Sequence, residues 1–425
     1  MFAGLKITAQ SKIIRGPYLQ KASPTSMTIK WRTAEACISD LYYGTEDTKW
    51  TQIVSSELVT NHEVQLVRLE PNTKYYYKID GPKGSQNTDR QYFKTVPLQS
   101  TKLRAWVLGD CGMGDQNTRN VRDAFLKKHP EDMDMIIMLG DNAYNSGTDD
   151  EYQRAIFENM YEEQMKKTVT WSCLGNHDGY STNATTQGGP YYDIFSFPTK
   201  GECGGMASGT ESYYSYDYGD THFIVLNSYQ EGRSTEDPMF KWCQADIQST
   251  SATWIVALWH HPPYSKGSHN SDFERRMIQM RKNYLPMLEA YGVDLVLSGH
   301  SHSYERTYFL NGHYGMSGSF DIEKHTLGKN GKYSGKEDSS GAYIKKYYKL
   351  KKECPGMGSV YITAGSSSKI SGGALNHPAM FVSLNRLGSL LLEVDESELK
   401  CTFIQDDGSI GDYFSIIDKK RKKKN

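Results

Sequence analysis

Apolar residues along this chain follow two regimes. Met27, Ile29 and Trp31 alternate with Thr28, Lys30 and Arg32, a period of two that predicts strands with one buried face over the first hundred residues. Further on, Leu69-Glu70-Pro71-Asn72-Thr73-Lys74-Tyr75-Tyr76-Tyr77-Lys78-Ile79 sets a proline turn ahead of a tyrosine-rich strand. From Thr101 the alternation gives way to short unbroken apolar runs at 105–108, 135–139, 170–174, 221–226, 254–259 and 294–297, as expected of strands buried on both faces. Helical candidates lie between several of them, at 117–128, 149–166, 236–249 and 271–291, and strands alternating with helices imply an α/β layered domain. Residues 311–353 are rich in Gly, Ser, Lys and Tyr and read as a long loop or insertion. Strands return at 359–364, 389–395 and 399–405, and Asp406-Asp407-Gly408 is a hairpin turn signal.

The predicted organisation is an all-β sandwich over residues 1–98 and an α/β domain over 99–418 with mixed sheets flanked by helices. A basic run, 419–425, reads as a disordered terminus or an anionic-surface tether. A length of 425 residues agrees with two domains. Basic and acidic residues number 49 and 50, so no global charge argues for nucleic acid binding. No stretch approaches the roughly 20 apolar residues of a membrane helix. The apolar run after Met1 is too short for a secretory signal, which was either trimmed or never present. Seven cysteines without C-x-x-C spacing argue against a zinc ribbon and a disulfide-dense scaffold, while one bridge, from Cys203 in its glycine-rich loop, stays open.

Five strings change this picture: Gly109-Asp110-Cys111-Gly112, Gly140-Asp141-Asn142-Ala143-Tyr144, Gly175-Asn176-His177-Asp178, His260-His261-Pro262-Pro263 and Gly299-His300-Ser301-His302. Each follows a buried run, so its side chains leave the carboxyl end of a strand, where open α/β sheets place their ligand crevices. Glycine ahead of the ligand lets the backbone turn tightly toward an ion. Two carboxylates, a phenol, an amide and several imidazoles are the donors a two-metal hydrolytic site requires, since bulk water is too weak a nucleophile without activation. Six of the 12 histidines (177, 260, 261, 269, 300 and 302) lie in or shortly after the third, fourth or fifth string. The others, His62, His129, His222, His313, His325 and His377, lack ligand-type neighbours and read as surface or satisfied core.

Taken in order, the strings D-x-G, G-D-x-x-Y, G-N-H-D/E, V-x-x-H and G-H-x-H resemble those of the purple acid phosphatases, within the metallophosphoesterase superfamily. The segment around Tyr75 to Tyr77 resembles the tyrosine corner of fibronectin type III sandwiches, a domain that the larger family members carry. As a spacer or binding module, or as a passive sandwich on the catalytic domain, it fits either way. Carried over by position, the resemblance implies that Asp110, Tyr144 and His302 hold Fe(III), that Asn176, His260 and His300 hold a second ion, Zn(II), Fe(II) or Mn(II), and that Asp141 bridges them. His177 and His269 would face the phosphate as catalytic and substrate-binding groups, with Arg233 a further contact to substrate. Ala257 stands where the family string has valine. Adjacent strand residues point to opposite sides, so one of His260 and His261 reaches the metal, and alignment on the following proline favours His260.

Gly112 occupies the position where ordinary calcineurin-like enzymes carry a histidine, and the tyrosine comes from the second string instead. A phenolate suits a hard cation. By formal count Fe(III) with a divalent ion leaves the cluster at about +1 and two divalent ions leave it at about zero, and a phosphate dianion favours the former. The activity implied is hydrolysis of small-molecule phosphate monoesters by attack of a metal-bound hydroxide. A nucleotide phosphodiesterase or pyrophosphatase on the same core is the alternative, and a non-catalytic surface binding protein the remaining one. An exported protein, secreted or periplasmic, would keep ferric iron oxidised.

Overall fold

The computed structural model describes residues 11–79, 91–99, 102–326, 346–349 and 358–418. Five strands build the N-terminal β-domain: Ile13–Ser23, Ser26–Glu46, Lys49–Val67, Lys74–Ile79 and Gln91–Lys94. The long strand Ser26–Glu46 pairs antiparallel with the other three long ones, its first half against Ile13–Ser23 and its second against Lys74–Ile79. The tyrosine corner is present: the Glu70 amide donates to the Tyr75 hydroxyl at 2.9 Å, closing the turn ahead of the strand.

Met27, Ile29 and Trp31 are buried as the alternation predicts, but Thr28 and Lys30 are buried too. The second face lies against the α/β domain and is polar, so a hydrophobicity pattern cannot register it. There the Lys30 ammonium donates to Asp193 O at 3.1 Å and Ser196 Oγ at 2.7 Å, Gln20 Nε2 to Thr170 O at 3.1 Å and Tyr77 Oη to Lys166 O at 2.6 Å. Arg15 and Arg32 converge on the two oxygens of Asp149 at 2.9 and 2.5 Å.

Two seven-stranded mixed sheets form the α/β domain. One has the parallel core Lys102–Leu108, Met135–Met138, Val169–Ser172; the other has Thr221–Val225, Trp254–Leu258, Leu295–Ser298, Val360–Ala364. Strand alternation distributes the apolar residues of the second sheet. Phe223, Val256 and Leu295 join Val107, Ile137 and Trp171 in one core, while Ile224, Ala257 and Val296 enter another with Met239, Phe240 and Leu288 from the helices Pro238–Ser249 and Leu285–Ala290. Stacking of Trp171 on Tyr216 at 3.9 Å joins the two sheets. Both parallel sets end toward the same edge, which carries all five strings.

Elsewhere the structure departs from the sequence reading. The helix predicted over 149–166 is broken where Glu158 and Asn159 leave helical geometry, Asn159 at φ 55°. The one predicted over 271–291 begins only at Arg275, because Asp272 accepts the Ser317 amide at 2.7 Å and holds the preceding turn open. Strands Tyr214–Tyr218, Tyr304–Thr307 and Met380–Leu384 were not foreseen, and strand Lys346–Lys349 lies inside the stretch read as a loop. Cys203 is a free, buried thiol, as are the other described cysteines. The basic run 419–425 lies outside the described residues, and among the described residues no helix is long and apolar enough to cross a membrane.

His222 is a satisfied core histidine that ties three elements together. Its Nδ1 meets Asp217 at 2.6 Å and its Nε2 meets Asp246, on helix Pro238–Ser249, at 2.9 Å. Burial opposes its charge, but the two carboxylates prevail and raise its pKa to about 9. A histidine pKa raised on folding adds stability in full below the unfolded value of about 6.5, and that stability is lost as pH rises through the folded value. Denaturant unfolding should therefore show stability declining by on the order of 3 kcal/mol between pH 6.5 and 9.5. His222→Gln should lower stability at pH 6 and flatten that slope; an unchanged slope would place its origin elsewhere.

Candidate metal centre

The loops that leave the parallel strands turn sharply, and the ligand-type residues themselves make the turn. Asp110, Asp141 and His300 sit at φ 55°, 53° and 66°, a left-handed region that Asp and His tolerate better than most side chains at a cost of about 1 kcal/mol or more each. The preceding glycines serve mainly to give room, contrary to the expectation from sequence. Of these Gly140 alone has positive φ, at 87°, and a Cβ on Gly299 would lie 2.4 Å from Asp110 Oδ2.

What these turns bring together is a cluster of lone pairs with too few protons. The Tyr144 hydroxyl lies 3.0 Å from Asp110 Oδ1, 3.1 Å from Asp141 Oδ2 and 3.2 Å from His302 Nε2, and its single proton can satisfy one of them. Asp141 Oδ2 is also 3.3 Å from His260 Nε2, which in turn is 3.1 Å from Asn176 Oδ1. His300 joins Asp141 and His260 in a group whose ligand atoms all lie within 4.8 Å of one another. Asp110, Asp141, Tyr144, His260, His300 and His302 are buried. Buried carboxylates facing one another are costly unless a cation neutralises them, and burial together with Asp110 and Asp141 pushes the Tyr144 phenol far above its ordinary pKa. A bound cation reverses that effect. Oxygen and imidazole donors in this arrangement fit a pair of metal ions.

Outer partners fix each donor. His260 Nδ1 donates to Leu139 O at 2.8 Å, which leaves Nε2 as the lone pair. His302 Nδ1 meets Ser371 Oγ at 2.8 Å. Backbone amides of His177 and His300 donate to Asp141 Oδ1 at 2.8 Å and Asp110 Oδ2 at 2.7 Å. Asp178, buried under the second and third strings, accepts from Asn142 N, Asn142 Nδ2, Gly175 N and Tyr152 Oη. Burial and then the Asp141 charge push its pKa up to about 6.

At the mouth, His177 and His269 keep 28% and 33% of their side chains exposed. His177 donates Nδ1–H to Asn145 O at 2.5 Å and holds Nε2 4.0 Å from Asp141 Oδ2. The His269 ring lies 3.7 Å from that of His300, and its Nδ1 meets Glu274 Oε1 at 2.6 Å, while Glu274 Oε2 takes His300 Nε2 at 3.0 Å. Those imidazoles overcome burial and hold Glu274 well below the carboxylate range.

The nine residues from Asp110 to His302 that were read as ligands or phosphate-facing groups thus lie in one connected cluster. Arg233 stands apart: its Nη1 donates to the carbonyls of Ser228, Tyr229 and Glu231 and its Nε to Gln279. His261 turns away, with Nδ1 on Ser228 Oγ at 2.9 Å. Glu274, Asp178 and Ser371 were missed. Glu274, five residues after His269, and Asp178, within its own string, left a trace in the sequence; Ser371 left none.

Fold and site define a metallophosphoesterase. Residues 103–304 match the family model for calcineurin-like phosphoesterases, and residues 16–95 match that for the purple acid phosphatase N-terminal domain. The chain belongs to the purple acid phosphatase family, hydrolases acting on phosphate esters. Purple acid phosphatase 23 of Arabidopsis thaliana is 26% identical over 347 residues, 68% of this chain and 73% of that protein. Purple acid phosphatase 13 of the same plant is 30% identical over 286 residues, and there the match spans 58% of this chain and only 50% of the relative. A purple acid phosphatase from yellow lupin seeds superposes with a TM-score of 0.72 over 97% of this chain and 75% of its own, at 17% identity, a likeness of fold.

A cluster of buried carboxylates makes a distinct prediction for stability. In chelator, Asp110→Asn should melt at or above the wild type, because it relieves repulsion among buried carboxylates. With iron and zinc at a hundredfold excess over Kd, wild type should gain about 2.7 kcal/mol and the variant far less. Equal metal-induced shifts in the two proteins would remove Asp110 from the site.

Proposed function

We propose that this chain is a binuclear phosphomonoesterase in which Asp110, Tyr144 and His302 hold Fe(III), Asn176, His260 and His300 hold Zn(II), Fe(II) or Mn(II), and Asp141 spans both. The observation that carries this reading is the position of Asp141 Oδ2, 3.1 Å from the Tyr144 hydroxyl on one side and 3.3 Å from His260 Nε2 on the other. One carboxylate oxygen addresses both halves of the cluster. When bound, the ion pair supplies Lewis acidity toward the phosphoryl group and a nucleophile from water near neutral pH.

The protein's own groups do the remainder. Buried donors hold fixed positions, so little reorganisation accompanies the reaction. His177, its ring fixed through Asn145 O, presents Nε2 to the mouth, and His269, held by Glu274, presents its own. Each is placed to bind phosphate oxygens, and one of the pair to hand a proton to the departing alkoxide. Glu274 stays ionised and ties the rings of His269 and His300 together. An extracytoplasmic location accords with a ferric ion that must remain oxidised.

Iron-loaded protein should be coloured by tyrosinate-to-iron charge transfer, and Tyr144→Phe should lose the band; a colourless wild type that still contains iron would refute the ferric assignment. Asp141→Asn should cut turnover of p-nitrophenyl phosphate by about a thousandfold or more, with the monoester preferred over bis-p-nitrophenyl phosphate in wild type. Ordinary activity in that variant, or preference for the diester, counts against the reading.

A further inference from the structure

An arc of aromatic rings runs around one side of the metal cluster and is anchored to it at both ends. The His177 ring packs against Tyr144 at 4.5 Å and against Tyr180 at 5.3 Å; Tyr180 meets Tyr229 edge-on at 6.4 Å; Tyr229 stacks on His261 at 6.1 Å and 10°, and His261 packs on His300 at 4.3 Å. None of these contacts buries Tyr180, which remains 60% exposed directly beside a phosphate-facing histidine. Single exposed aromatics are ordinary on surfaces; one continuous with a catalytic cluster is a different matter.

Tyr229 is held so firmly that it acts as the wall behind Tyr180. A Cβ on Gly179 would fall 2.4 Å from its Cε1, so the ring lies flat on the backbone that follows His177 and Asp178. The Arg276 guanidinium covers the ring at 4.5 Å, and its Nε donates to Tyr229 O at 3.2 Å. Gln230 Nε2 ties the two loops by donating to Gly179 O at 2.9 Å and Thr182 O at 2.8 Å. Arg276 makes no ion pair among the described residues, and its guanidinium stays on the Tyr229 side of the mouth. The mouth therefore offers an exposed ring, a rigid backing ring and a guanidinium with no carboxylate partner among the described residues, organised before anything binds.

We propose that Tyr180, Tyr229 and Arg276 form a subsite for the alcohol half of the ester, and that the preferred substrates are phosphate monoesters whose alcohol carries a planar aromatic ring. This rests on the phosphomonoesterase reading above. The ring of the alcohol stacks on Tyr180, and Arg276 contacts its face or its acceptor atoms.

Adenosine 5′-monophosphate and ribose 5-phosphate test this, because their leaving alcohols are alike at the reacting oxygen and differ by one planar ring. The metal-loaded wild type should favour the nucleotide about tenfold or more in kcat/KM, mainly through KM. Tyr180→Ala should bring that ratio to within about twofold, Tyr180→Phe should retain it, and Arg276→Gln should lower it by a smaller factor. Adenosine should inhibit ribose 5-phosphate hydrolysis competitively in wild type and much more weakly in Tyr180→Ala. Equal kcat/KM values for the two esters in wild type, or a preference that survives Tyr180→Ala, overturns the subsite and leaves the phosphomonoesterase reading standing. Absence of turnover of both esters and of p-nitrophenyl phosphate overturns that reading and the subsite with it.

Discussion

One shortage governs the centre of this protein: a single phenolic proton stands among two carboxylates and an imidazole, all within about 3.2 Å of the same oxygen. Without positive charge such a grouping repels itself, because burial takes the charges away from solvent screening. Everything nearby can be understood as holding it together until cations arrive. Three residues accept left-handed backbone, two backbone amides are aimed at the carboxylates, and the distal nitrogens of His260 and His302 are tied down. The free energy for this comes from the flanking cores, where inner and outer faces of the sheets alternate through Phe223, Ile224, Val256 and Ala257.

Such an arrangement also separates duties by depth. Residues read as metal donors are nearly all buried, while His177, His269 and Glu274 keep roughly a third of their side chains exposed. Substrate-facing groups must exchange protons and ligands with solvent, whereas metal donors benefit from a low-dielectric setting that strengthens their hold. Asp178 works from beneath: one carboxylate gathers the second and third strings through three hydrogen bonds, so that Asp141 and Asn176 keep a fixed spacing.

Much of this was legible in the chain. The parallel strands are short unbroken apolar runs, and the candidate ligand strings stand at their ends, so the α/β class could be read from pattern, whereas a role for each donor came only through the resemblance to a family. Tyr75 announced its corner by following a proline turn. What escaped had a physical reason. Thr28 and Lys30 are buried in a polar interface, which looks like solvent to a hydrophobicity pattern. Tyr304–Thr307 contains Glu305 and Arg306, whose burial depends on partners remote in sequence such as Ser265 and Asp412. Ser371 acts on His302 through a contact that no local spacing encodes, and the turn at Asp272 shortened a helix through Ser317, 45 residues away.

The pair of arginines on Asp149 links the two halves of the molecule at an informative place. Asp149 opens the helix whose Glu151 accepts the amides of Asn145 and Ser146 and whose Arg154 donates to Tyr144 O. A grip on Asp149 from the β-domain is thus a grip on the segment that carries the phenol and the carbonyl partner of His177. The N-terminal domain is in that sense part of the foundation of the candidate site: without it Asp149 would lose both arginines, and the segment around Tyr144 would lose the anchor of the helix that holds it.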